Sequence, residues 1–196
     1  MTIILDIVGS LITIVVIVSI VTRHYQRSAR TFDEMFPYLR GANLDDVHDL
    51  VDPADEGYLR LNLSPLAFRK AQQNRVHLLS ELLKRMSHNA SFLQEWASGE
   101  LAKSWKTLDR NARHASRELI QYCVLFRFAA LVVQIRLLIW SARLRILPFM
   151  PVPLLAEARN ALGTDVAYTY ERIRETAGKL CRLCGVQYET KLTGIL

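Results

Sequence analysis

Between Ile3 and Val21 the chain carries fourteen Ile, Leu or Val residues and one charge, Asp6, near one end. About twenty residues at 1.5 Å each span roughly 30 Å, the thickness of a bilayer's hydrocarbon core. On an insertion scale fourteen such side chains contribute on the order of −6 kcal/mol, and a terminal Asp costs less than the roughly +3 kcal/mol it would cost at the centre. The segment is therefore read as a membrane anchor over residues 1–22. A cleaved export signal needs a basic start and a small-residue cleavage site, and "MTIILD" supplies neither. A buried core helix is the competing reading, but β-branched residues occupy every face. Arg23, Arg27 and Arg30 follow the apolar run, so the positive-inside rule places the amino terminus outside and the bulk of the chain in the cytoplasm, in a single pass through the cell membrane. Arg23, His24, Tyr25 and Arg27 are the expected membrane-interface residues.

The formal charge is +6, unevenly spread. Residues 1–30 carry +2, residues 31–56 carry −7, residues 57–151 carry +10 and residues 152–196 carry +1. An acidic block beside a basic one suggests that the two attract, within one chain or between chains. Three cysteines, Cys123, Cys181 and Cys184, cannot build a disulfide framework and read as reduced thiols.

The expected fold class is all-α: the N-terminal transmembrane helix, then a cytoplasmic helical bundle with long amphipathic helices. Residues 23–64 read as a basic juxtamembrane stretch followed by an acidic irregular linker punctuated by Pro37, Gly41, Pro53 and Gly57. Within it "NLDDVHDLV" suits a short helix capped by Asn43, and "LRLNL" (Leu59 to Leu63) alternates like a short strand. Ser64-Pro65 opens the bundle domain, 65–185, with Ser at the N-cap and Pro at the first helical position. Phe68, Leu79, Leu82, Leu83, Met86, Ala90, Leu93 and Ala97 share one side of that helix. Lys70, Asn74, His77, Glu81, Lys84, His88 and Glu95 fall opposite. Gly99 is the expected break.

The next helix, from about Glu100, carries a buried stripe of Leu101, Trp105, Leu108, Ala112, Leu119, Cys123 and Phe126. Lys103, Lys106, Arg110, Arg113 and Arg117 recur at spacings of three and four and make a basic stripe about 21 Å long. From Leu119 to Leu147 the helix is apolar nearly all round. Its aliphatics and central arginines balance near zero for insertion, at about −6 against about +6 kcal/mol, which favours a bundle helix or one lying against the membrane over a second span. Pro148, Pro151 and Pro153 end it. In the last helix Val166, Tyr170, Ile173, Ala177, Leu180 and Cys184 repeat every three or four positions, a seam for packing within the chain. Residues 186–196 form a tail.

Chemistry is sparse. "CRLCG" (Cys181 to Gly185) has no second pair to complete a tetrahedral zinc site within one chain. It also lies at a helix C-terminus, where the dipole opposes a thiolate, so it reads as two packed thiols before a glycine cap. No phosphate loop, nucleophile elbow or metalloprotease motif occurs. No cofactor, metal or catalytic residue is expected. The expected function is a non-enzymatic, membrane-anchored helical interaction module or complex subunit. It would dock a partner through the basic face of Lys103, Lys106, Arg110, Arg113 and Arg117. The alternative is a membrane-active protein that inserts residues 119–155. The partners implied are the membrane, a protein partner or a second copy, and anionic lipid; nucleic acid ranks last, for want of a recognition fold.

Overall fold

The computed structural model describes residues 32–107, 109–146, 152, 155, 166–185, 192 and 196. The expected anchor, with Arg23, His24, Tyr25 and Arg27, lies outside the described residues. What is described is helical: α1 (Phe32–Met35), a 3-10 turn (Phe36–Tyr38), α2 (Leu44–Leu50), α3 (Pro53–Asn62), α4 (Pro65–Thr107), α5 (Arg110–Ile146) and α6 (Val166–Leu183).

The frame is a long hairpin. At 43 and 37 residues, α4 and α5 are about 65 and 55 Å long. Each turns a three-and-four seam inward. On α4 it is Val76, Leu79, Leu83, Met86, Ala90, Leu93 and Ala97; on α5 it is Leu119, Cys123, Phe126, Ala130, Val133, Leu137, Trp140 and Leu144, all buried. Residues at this spacing form a ridge that interlocks with the matching ridge of a neighbour. Val166, Tyr170, Ile173, Ala177 and Leu180 of α6 supply the third seam, as their spacing predicts. The Tyr170 ring lies 5.0 Å from Phe126 and Arg172 reaches Glu118 at 3.7 Å, so α6 runs antiparallel to α5. Cys184 then ends beside Glu100, its Sγ donating to Oε2 at 3.5 Å.

The N-terminal segment is not an irregular linker, as its punctuation suggests. It runs down α4 antiparallel to it and joins the same core. Phe32 packs edge-on against Trp96, with ring centroids 4.9 Å apart. Tyr38 stacks on Phe92 at 5.9 Å. Asn89, fully buried, grips the peptide of Arg40: its Oδ1 accepts the N–H at 2.9 Å and its Nδ2 donates to the carbonyl at 2.7 Å. A second donation reaches the Tyr170 hydroxyl at 3.3 Å, tying the segment to α6. Asn89-Ala90-Ser91 matches the pattern of an N-glycosylation acceptor, but the Asn89 amide is buried and engaged by the fold. Lower down, Arg75 caps α2 by donating to the Leu50 carbonyl at 2.8 and 3.1 Å. The buried Glu56 carboxylate accepts from Gln72 and from the Leu155 N–H at 2.9 Å.

Two local expectations are overturned. "LRLNL" is the end of α3, not a strand. Asp52 caps that helix, accepting from the Ala54 N–H at 3.0 Å, with Pro53 in its first turn, and this start signal outweighs five alternating residues. Gly99 is no break: α4 passes through it, buried, to Thr107. One helical glycine costs only about 1 kcal/mol, less than the continuous seam supplies. The next helix begins at Arg110 instead, where Asp109 Oδ1 accepts from the N–H groups of Asn111 and Ala112 at 2.9 and 3.2 Å.

The N-terminal segment also covers His88, which the helix pattern places on the polar side. Its Nε2–H donates to the Tyr38 carbonyl at 3.2 Å, and its ring lies 4.7 Å from Phe92. Burial and then the Arg40 charge hold the imidazole below its usual value, against that hydrogen bond. The unfolded chain takes up this proton first, so the contribution of His88 to stability is complete above about pH 6.5 and is lost as pH falls below it. Urea melts across this range should show a drop in stability on acidification that is smaller in H88Q; an equal drop in both proteins would place the titration elsewhere.

Candidate functional site

The basic stripe is not one helix face. It is divided between the last turns of α4, which ends at Thr107, and the first turns of α5, which begins at Arg110. Lys103 closes an ion pair with Glu100 at 2.8 Å, which cancels much of its outward charge. The Lys106 side chain lies outside the described part. Arg110, Arg113 and Arg117 come together on the outer side of the hairpin end. Trp105 belongs with them: the sequence puts it in the buried stripe, but it is 54% exposed. The Arg113 guanidinium sits 4.8 Å from its ring centroid and Arg117 sits 5.5 Å away. Arg113 is held from the other side as well, its Nε donating to the Asp109 carbonyl at 3.2 Å. Cations over an exposed indole gain about 0.5–1 kcal/mol each, so the cluster is ordered before anything binds it.

Three acids of the block, Asp45, Asp46 and Asp49, stand far from this cluster. Arg75 fixes Asp49 and Leu50 beside residue 75 of α4, roughly 45 Å along the helix from Trp105. Asp45 and Asp46 are exposed in the first turn of α2.

Beyond Arg117 the outer face of α5 turns apolar. Val124, Leu125, Phe128, Val132, Ile135, Leu138 and Ile139 are all exposed, Phe128 at 65% and Leu138 at 70%. Scattered exposed hydrophobics are ordinary; a continuous row about 22 Å long is the kind of patch that marks an interaction surface. Sequence reasoning found the apolar content but not its division into an inner seam and an outer row. Arg110–Arg145 is also the one stretch among the described residues long and apolar enough to cross a membrane, with 33% of its most apolar window buried.

The thiols are packed. Cys123 and Cys181 are buried and Cys184 half-buried. Burial first, and then the charge of Glu100, push the Cys184 thiol up to about 12, which leaves it protonated and a poor nucleophile. Gly185 follows with φ +69°, its N–H donating to the Arg182 carbonyl at 3.3 Å, a left-handed glycine cap. Among the described residues no three His, Cys, Asp or Glu side chains converge on a common point. An open groove of about 670 Å³ between α4 and α5 is lined by Asn74, His77, Lys84, Leu131, Gln134 and Leu138 among others, a mixture of amides, cations and aliphatics.

No protein-family model, curated protein or solved structure matches the chain. The surface chemistry of the hairpin is therefore what carries the functional reading.

Proposed function

We propose that the chain is a non-enzymatic, membrane-tethered helical module. Residues 1–22 anchor it in the cell membrane with the amino terminus outside. The helical domain stands on the cytoplasmic side and presses its arginine-rich end against an anionic surface, the inner leaflet. One observation carries this reading: the charged cluster lies at the end of the molecule where the chain arrives from the anchor. Phe32 sits on Trp96, about 14 Å along α4 from Trp105. The residues between Thr22 and Phe32 reach at most about 35 Å even when extended. A domain tied this closely at this end keeps Arg110, Arg113 and Arg117 within reach of the headgroups.

The outcome that supports the tether is direct. The full chain should float with vesicles in a density gradient and resist extraction by salt and alkali. A chain lacking Met1 to Thr22 should be soluble and helical, because the described core keeps all of its residues in that chain. A truncated chain that still resists extraction would place the anchor in another segment. Capture of an acidic protein partner by the arginine end, with no response to anionic lipid, would leave the module intact but change what it docks.

A further inference from the structure

The outer apolar row of α5 lies outside the arginine cluster and is unexplained by it. We propose that this face, from Val124 to Ile139, lies in the headgroup–acyl boundary of the anionic bilayer, parallel to the membrane plane, so that the hairpin rests on its side. The inference rests on the membrane-tethered reading.

Charge selects the occupant. α5 contains seven arginines and a single acid, Glu118, and that acid faces Arg172 of α6. The row is bordered by Arg117 before it and by Arg143 and Arg145 after it. Arg127 and Arg136 are nine residues apart, a half-turn in angle, and so flank it on opposite sides. Arg127 leans towards α4, where it donates to Gln94 Oε1 at 3.0 Å, while Arg136 is exposed. An apolar strip framed by cations on a helix matches a lipid surface that is apolar below and anionic above. A second copy of this chain does not fit. Antiparallel pairing of two α5 rows would set Arg117 against Arg143, and parallel pairing would set each arginine against itself.

Packing excludes the upright alternative for α5. Leu119, Phe126, Val133 and Leu137 are locked into the core with α4 and α6. A spanning α5 would drag α4 into hydrocarbon with it, and α4 exposes Lys70, Asn74, His77 and Lys84. Such groups are costly at that depth. Lying flat, α5 immerses only its outer row and holds the groove-side residues of α4, Asn74, His77 and Lys84, at headgroup level.

The test uses the full chain with an environment-sensitive fluorophore on a single introduced cysteine: F128C or I135C on the row, and D46C on exposed α2 as the control, away from the groove that borders the row. Cys123 and Cys181 are buried, and half-buried Cys184 is replaced by serine in every variant. Each protein is reconstituted into phosphatidylcholine vesicles with and without phosphatidylserine. A lipid carrying a quencher just below the headgroup is then added. Expected are a blue-shifted emission and its loss to the quencher at 128 and 135 in the anionic vesicles, with neither at 46. Co-flotation reports the tether separately: a chain that does not float overturns the tethered reading and this inference with it. A floating chain whose emission at 128 matches that at 46 leaves the face in water and overturns the inference alone. A blue shift that the lipid quencher does not reach means that protein covers the row, and overturns it too.

Discussion

Trp96→Ala should destabilise the fold by about 4 kcal/mol, the middle of the range for emptying a buried aromatic site. Trp96 is 1% exposed, and it is the surface on which Phe32 rests, where the N-terminal segment first meets the bundle. The cavity would open between α4 and that segment, and the segment cannot collapse into it without breaking the Asn89 grip on Arg40. The loss therefore has a local signature as well as a global one. Urea melts should show the drop in midpoint, and proteolysis should show accelerated cutting at Arg40. W96F keeps a ring against Phe32 and gives up no hydrogen bond, since the indole N–H makes none among the described residues, so it should fall well short of the alanine variant. A W96A loss below about 1 kcal/mol, the size of a surface substitution, would mean that the segment is held elsewhere and that the link between tether and arginine end is loose.

The inner seams were legible because they repeat. Phe68, Leu79, Leu83, Met86, Ala90, Leu93 and Ala97 are buried on α4 as their spacing predicts, and Ser64 sits at its N-terminus, Oγ accepting from the Ala67 N–H at 3.4 Å. What periodicity cannot show is a second layer. His88 and Glu95 fall on the polar side of the wheel, yet the N-terminal segment covers that side, so His88 is half-buried and Glu95 buried. The contacts that hold the segment, such as Asn89 with Arg40, join residues 49 positions apart and leave no local trace. The hairpin break was legible but misplaced. Gly99 drew attention as a helix breaker, while Asp109 followed by "RNA" is the stronger signal, a side chain able to cap a new helix. That error moved Trp105 from the outside to the inside of the picture and turned two clusters into one stripe. The arginines were identified; the indole that orders them was not, because a tryptophan in an apolar rhythm reads as core.

Changing Arg110, Arg113 and Arg117 together to Gln should weaken binding of the chain lacking Met1 to Thr22 to phosphatidylserine-containing vesicles by about a hundredfold. Each basic group near an anionic leaflet gains about 1 kcal/mol, and about 3 kcal/mol corresponds to a little over a hundredfold in affinity. All three side chains point away from the core, and the helix they stand on is fixed by Ala112, Ala115 and Leu119 beneath them, so the fold should be unchanged. K103Q alone should have little effect, because Glu100 already opposes that charge at 2.8 Å. W105A should fall between, since it keeps every charge but removes the ring over which Arg113 and Arg117 are ordered. Raising the salt should weaken the parent and leave the triple variant nearly flat, because charges at a surface are screened within about 10 Å at 0.1 M. Triple-variant affinity within a few-fold of the parent would show that the arginines are an ordinary solvated face. Equal binding of the parent to neutral vesicles would show that the apolar row of α5, not the charge, holds the domain to lipid. The two surfaces lie on one helix, Arg117 about 10 Å from Val124, and this pair of measurements apportions the attachment between them.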